Sequence, residues 1–136
     1  MRPFLFMLLI LLTVSCSKSK EDGFTINGFT SNLPDSTLIL IAETNKPSFD
    51  STWIIDNHFK FEGKIDQPFL NVWITLKDMS EYKSIWIMNN KMTFDSRGTS
   101  FYNAQVSGSE IQDQSNEYQR LVNPFRHKQD SIENLV

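Results

Sequence analysis

The sequence predicts an all-β fold, an antiparallel β-sandwich of about seven or eight short strands, followed by a C-terminal amphipathic helical tail. Three observations predict it. From Gly23 onward apolar residues recur with period two, which puts alternate side chains on opposite faces of a strand. Turn-forming residues interrupt that pattern at intervals of roughly 8–12 positions, the spacing of sandwiches and barrels. After Ser109 the period changes to three, four and seven, that of a helix. A length of 136 residues suits one modest domain.

The strands follow in order. Phe24-Thr25-Ile26-Asn27-Gly28 alternates, and Asn32-Leu33-Pro34-Asp35 has the composition of a turn. Thr37 to Ala42 is apolar at neighbouring positions (Leu38, Ile39, Leu40, Ile41), which predicts a central strand covered on both sides. Lys46-Pro47-Ser48 breaks the run. Ser51 to Ile55 and Phe59 to Ile65 are expected to form a hairpin around Asp56-Asn57, because Asn tolerates the left-handed backbone of a tight turn. Gln67-Pro68 leads into Leu70 to Lys77. Tyr82 to Met88 and Met92 to Asp95 are expected to form a second hairpin around Asn89-Asn90, and Tyr102 to Val106 is the last strand.

Parity sorts these strands into faces. Leu70, Val72, Ile74 and Leu76 share one face, as do Ile85 and Ile87, while Trp73, Trp86 and Met88 fall on the other. A tryptophan joins a large apolar ring to a polar N–H, so this second face suits either a platform for sugar or peptide or a cover from the same chain. The tail would supply that cover. Ser109-Glu110-Ile111-Gln112 reads as a capping box, in which Ser and Gln satisfy each other's backbone donors. Ile111, Tyr118, Leu121, Val122, Phe125, Ile132 and Leu135 form the stripe. Pro124 lacks a donor and clashes with the preceding turn, so the expectation is one helix from Ser109 to Asn123 and another from Pro124 to Val136. The second has no cap and stops with its stripe still running, as a connector cut short would.

The chain start has its own logic. Arg2 and the terminal amine precede an unbroken apolar run from Phe4 to Leu12, then Thr13-Val14-Ser15-Cys16. A positive start, a short apolar stretch and small residues describe a secretory signal, and the run is far below the ~20 residues of a membrane span. The residues up to Cys16 resemble a bacterial lipobox, whose cysteine takes a diacylglycerol and becomes the mature N-terminus. Thr13 stands where that pattern prefers Leu. The expected organisation is a signal peptide over 1–15, an acylated tether over 16–22, a β-sandwich over 23–108 and a helical connector over 109–136.

Composition excludes several function classes. The net charge is -3, with 13 Lys and Arg against 16 Asp and Glu, so no basic surface for nucleic acid is expected. A single cysteine rules out a disulfide framework or a Cys-x-x-Cys redox pair. His58 and His127 form no spacing motif, and no nucleophile elbow, Walker loop or zinc-protease motif occurs. The chain is therefore expected to have no catalytic residue, metal or cofactor. Lys60, Lys64, Lys77 and Lys83 read as charges on strand edges or outer faces that discourage aggregation.

Taken together, Gly23 to Gly28, Asp50-Ser51-Thr52, Asn57 to Ile65 with Gln67-Pro68, and Val106-Ser107-Gly108-Ser109 with its polar helix resemble a known family. It is the N-terminal domain of unknown function on thioredoxin-like lipoproteins of the alkyl hydroperoxide reductase/thiol-specific antioxidant type, from Gram-negative bacteria. His58 departs from the pattern, which has Gly after the Asn. The resemblance implies a β-domain and connector preceding a thioredoxin-fold module that carries redox cysteines, none of which maps onto a residue here.

The resulting expectation is a non-enzymatic, membrane-anchored lipoprotein β-module of the cell envelope. Its partners would be membrane lipid, through acylated Cys16, and an envelope protein or a missing thioredoxin-like domain. The expected location is the outer membrane facing the periplasm, with the cell surface as the alternative. Two other readings stay open: the front part of a thiol–disulfide oxidoreductase or peroxiredoxin-like lipoprotein whose thioredoxin-fold half is absent, and an envelope glycan- or peptide-binding module using Trp73, Trp86 and Met88.

Overall fold

A computed structural model describes residues 22–31 and 33–133, with side chains followed to Arg126. Its strands are β1 (Phe24–Phe29), β2 (Leu38–Glu43), β3 (Ser48–Trp53), β4 (His58–Gly63), β5 (Leu70–Leu76), β6 (Tyr82–Ile87), β7 (Lys91–Asp95) and β8 (Gln105–Ser107), followed by helix α1 (Glu110–Glu133). They form two four-stranded sheets, ordered β4-β1-β7-β8 and β3-β2-β5-β6, that share one hydrophobic core. This is the predicted sandwich. Its ladders are antiparallel except β1–β7, which is parallel. β7 is reached by crossing from the other sheet, and only such a crossover lets a strand run parallel to its neighbour.

Both expected hairpins turn out to be sheet crossings. At the first, Asp56 and Asn57 have φ of 50° and 61°, and the N–H and C=O groups of Ile55 and His58 pair reciprocally at 2.9 Å. Two successive left-handed residues make a tight turn of the primed type. The ladder ends at that single bridge, because β3 then pairs with β2 while β4 pairs with β1. At the second, β6 and β7 lie in different sheets. Asn89 holds this crossing by imitating a strand: its Oδ1 accepts from Ile65 N–H at 3.0 Å, and its Nδ2 donates to Ile65 C=O at 2.7 Å.

Two strand limits differ from expectation. β3 begins at Ser48, which pairs with Ala42 beyond a bulge, and β8 begins only at Gln105. The residues before β8 form turns instead, with Asn103 N–H donating to Ser100 C=O and Ala104 N–H to Phe101 C=O.

The core has two unlike halves. The β4-β1-β7-β8 sheet supplies Phe24, Phe59, Phe61 and Phe94 beside Ile26, Met92 and Val106, and the β3-β2-β5-β6 sheet supplies only aliphatic residues, Ile39, Ile41, Val72, Ile74, Leu76, Ile85 and Ile87. Phe101, from the turn before β8, joins the rings at 5.1 Å from Phe94 in an edge-to-face contact. Gly28 makes room for Phe59 across the ladder; a Cβ there would lie 2.1 Å from the Phe59 ring.

β2 is central, as expected, yet only Ile39 and Ile41 are fully buried. Leu38 and Leu40 point to the outer side and stay half-buried, so the expected cover on both sides is realised on one. The tail also differs. It is one helix running through Pro124, not two. Proline removes the donor that Arg120 C=O would otherwise meet. The residues around it are exposed, so that carbonyl can face solvent and the break is tolerated. Ser109 caps the helix as predicted, its Oγ accepting from Gln112 N–H at 3.5 Å. The Gln112 side chain does not complete the box; it is buried and spent elsewhere.

Candidate functional site

The two sheets turn very different faces outward. On the β4-β1-β7-β8 sheet the side chains alternating with the core are Thr25, Asn27, Lys60, Glu62, Lys91, Thr93, Asp95 and Gln105, with Phe29 among them. Lys60 pairs with Glu62 at 2.6 Å, and Arg97 clasps Asp95 at 2.6 Å while lying over the Phe29 ring. On the β3-β2-β5-β6 sheet, register places Trp53 beside Leu38, Ser51 beside Leu40, Ala42 beside Trp73, Leu40 beside Thr75, Thr75 beside Tyr82, and Asn71 beside Trp86. None of these outward side chains is charged. Trp53 is 54% exposed and Tyr82 44%.

Trp73 and Trp86 do share that face, as parity predicts, yet they are not a joint platform. Trp73 packs on Tyr82 at 5.7 Å between ring centres and donates its Nε1–H to Thr44 Oγ1 at 2.9 Å. Trp86 packs edge-to-face on Phe69, also at 5.7 Å. Between the two pairs lies a polar one, with Asn71 Nδ2 donating to Ser84 Oγ at 3.0 Å. Met88 is half-buried just past β6, its C=O accepting from Asn90 N–H. Cys16 and the leader lie outside the described residues, as does the side chain of His127.

Nor does the tail lie over this face. α1 packs against β6 and β8, the edge strands at one open side of the sandwich. A chain of three hydrogen bonds ties it there. Trp86 N–H donates to Gln112 Oε1 at 2.7 Å, Gln112 Nε2 donates to Asn116 Oδ1 at 2.7 Å, and Asn116 Nδ2 donates to Val106 C=O at 2.8 Å. The helix thus caps an outward N–H of one sheet and a carbonyl of the other, which an open edge would leave to solvent. Its stripe is spent differently from a core-facing one: Tyr118, Leu121 and Phe125 remain exposed.

Beyond Asn116 the helix and β6 are separated by a groove of about 370 Å³. Trp73 and Tyr82 stand at one side, Tyr102 and Asn103 at another, and Gln119, Asn123 and Arg126 come from the helix. Lys83 enters from the edge of β6; its Nζ donates to Tyr102 C=O at 2.7 Å and lies 6.0 Å from that ring's centre. Burial holds the Lys83 amine below its usual range. The combination of ring faces, amides and two cations suits recognition of a ligand.

Sequence reasoning missed Trp53, Tyr82 and Lys83 as parts of this surface. The first two were legible in principle, since Trp53 alternates with buried Ile54 and Tyr82 is in phase with Trp86. Lys83 was not, because its place depends on the turn at Tyr102. His58 is exposed, with its ring edge-on to Phe29 at 4.9 Å. Among the described residues no cluster of His, Cys, Asp and Glu could hold a metal ion, and no helix is long and apolar enough to cross a membrane.

The family model described as Domain of unknown function (DUF4369) matches residues 24–115, well over half of the chain. The match takes in every strand and the first turn of α1. The chain belongs to this family. No curated protein and no solved structure matches it.

Proposed function

We propose, starting from that membership, that the protein is a non-enzymatic lipoprotein β-module of the cell envelope. It is anchored through Cys16 and holds a partner protein or a downstream domain against its β3-β2-β5-β6 face. The observation that carries the docking role is the lack of any charged side chain among the outward residues of that sheet, with Trp53 more than half exposed. Large apolar patches on a soluble surface mark interaction sites, and Trp and Tyr dominate the binding energy of protein interfaces. Support for the anchor comes from the leader and the lipobox resemblance at Ser15-Cys16. Two or three acyl chains hold a protein stably where one is marginal. The tether over 16–22 would let the module stand off the membrane, on the periplasmic side of the outer membrane.

Metabolic labelling with a clickable fatty acid in a Gram-negative host tests the anchor. The wild-type chain should take the label and Cys16→Ala should not; an unlabelled wild-type chain would overturn the lipoprotein reading. Insulin reduction or peroxide turnover by the purified chain would overturn the non-enzymatic one. The Trp73–Tyr82 pair, set in a groove with amide and cationic neighbours, favours a second reading as a peptide- or glycan-binding module.

A further inference from the structure

The edge strand β6 is treated in two ways along its length. At Trp86 the outward N–H is capped by Gln112, and the helix lies close. Glu81 C=O accepts from Leu76 N–H, which places Glu81, Lys83, Ile85 and Ile87 in the phase that bonds β5. Tyr82 and Ser84 are in phase with Trp86, so their main-chain N–H and C=O groups also point away from β5. There they meet the groove, whose far wall is the helix at Gln119, Asn123 and Arg126. A stretch of uncapped edge strand is a template for another strand.

We infer that this open half of the β6 edge docks an extended acidic peptide segment, added to the sheet as a further strand between β6 and α1. Main-chain pairing with Tyr82 and Ser84 supplies the register, as in other strand-addition complexes. The lining supplies the charge preference: Lys83 and Arg126 stand in it and, among the described residues, no carboxylate does. The Lys83 ammonium has three donors and spends one on Tyr102 C=O, leaving two for an incoming carboxylate. A carboxylate there would also favour the charged form that burial disfavours. Side chains on alternate positions of the added strand would reach the Trp73–Tyr82 rings, so apolar residues should alternate with acidic ones. An acidic sugar would match the cations but not the strand-spaced backbone groups, and the peptide is favoured for that reason. The inference rests on the docking role proposed above and gives its partner a chemistry.

The test uses the full chain in detergent and an acetylated, amidated pentapeptide, Thr-Asp-Val-Asp-Val. Calorimetry should show saturable binding, and amide exchange at Tyr82 and Ser84 should slow while Trp86 is unchanged. Replacing both Asp by Lys, or N-methylating the central Val, should weaken binding about tenfold, the scale of one lost hydrogen bond or more. Lys83→Gln and Arg126→Gln should each weaken it up to about fivefold. Because the peptide variants leave the protein untouched, no folding defect can imitate their effect. Equal affinity for the Lys or N-methylated peptide would overturn the inference, as would binding of oligogalacturonate without binding of the peptide. Cys16→Ala should bind the peptide as wild type does, so failure of the anchor and failure of the groove are distinguishable.

Discussion

The two outer faces of this sandwich are built on the same backbone pattern and filled with opposite chemistry. One carries ion pairs such as Lys60–Glu62 and Arg97–Asp95 among Thr, Asn and Gln. The other carries Trp53, Leu38, Leu40, Trp73, Tyr82 and Trp86 with only Ala, Ser, Thr and Asn between them. Folding alone does not require the difference, since the two sheets already share one cluster of buried apolar side chains between them. A solvated sheet face normally alternates apolar-in with polar-out. The aromatic face departs from that rule in one sheet only, and this departure is what supports the proposed docking role.

Neighbouring residues of β5 lie on opposite sides of the sheet. Ile74 is fully buried between the sheets, and Ile74→Ala should cost about 2–5 kcal/mol, through lost burial and the cavity left behind. Trp73 is larger but half-buried on the outer face, and Trp73→Thr keeps a good strand former there. It should cost about 1 kcal/mol. Urea denaturation of both variants checks this. Equal losses would mean that the aromatic face is a structural layer of the isolated chain and not a docking surface.

The edge offers a second, smaller contrast. Gln112→Ala removes the acceptor for Trp86 N–H and a donor to Asn116 Oδ1 in a buried position. Leaving such groups unpaired should cost about 1–3 kcal/mol. Gln112→Glu retains an acceptor for Trp86 N–H but cannot donate to Asn116 and buries an unpaired carboxylate, so at neutral pH it should cost at least as much as Ala. Amide exchange at Trp86 should accelerate in the Ala variant while exchange at Ser84, already uncapped, stays as it was. A uniform acceleration along β6 would show that the helix protects the whole edge and that no open half exists.

What the sequence revealed follows from where the determining interactions lie. Strand identity and facing were legible because alternation is local: Trp73 and Trp86 were placed on the right face, and Asp56-Asn57 marked a tight turn. Which strands pair was not legible. A tight turn between two strands reads as a hairpin whether the chain folds back or crosses to another sheet. Here the crossing is decided by distant partners, such as Asn89 bonding Ile65. The helix misled for a related reason. Its stripe of Tyr118, Leu121 and Phe125 has the period of a buried face, yet it is anchored by two amide side chains, Gln112 and Asn116, which carry no hydropathy signal. Of the groove, the aromatic wall could be read from parity, whereas Arg126 and Lys83 meet only in three dimensions.

The polar face supplies the smallest predicted effect and a control for the others. Arg97 donates from Nε and from its terminal nitrogen to the two carboxylate oxygens of Asp95, and its backbone N–H donates to Oδ1 as well. These bonds hold the Asp95 carboxyl down at about 2, against an ordinary value of 3.8. A carboxylate depressed on folding stabilises the folded state above its unfolded value, and that contribution is lost as pH falls through the folded one. The pair is exposed, so water and salt screen it and the loss should be slight. The expected outcome is a small drop in the urea midpoint between pH 4 and pH 2 at low salt, reduced in Asp95→Asn and in 0.5 M salt. Peptide binding in the β6 groove should be unaffected by that substitution, since the ion pair belongs to the other sheet. A large change in either would show that the two outer faces are coupled through the core.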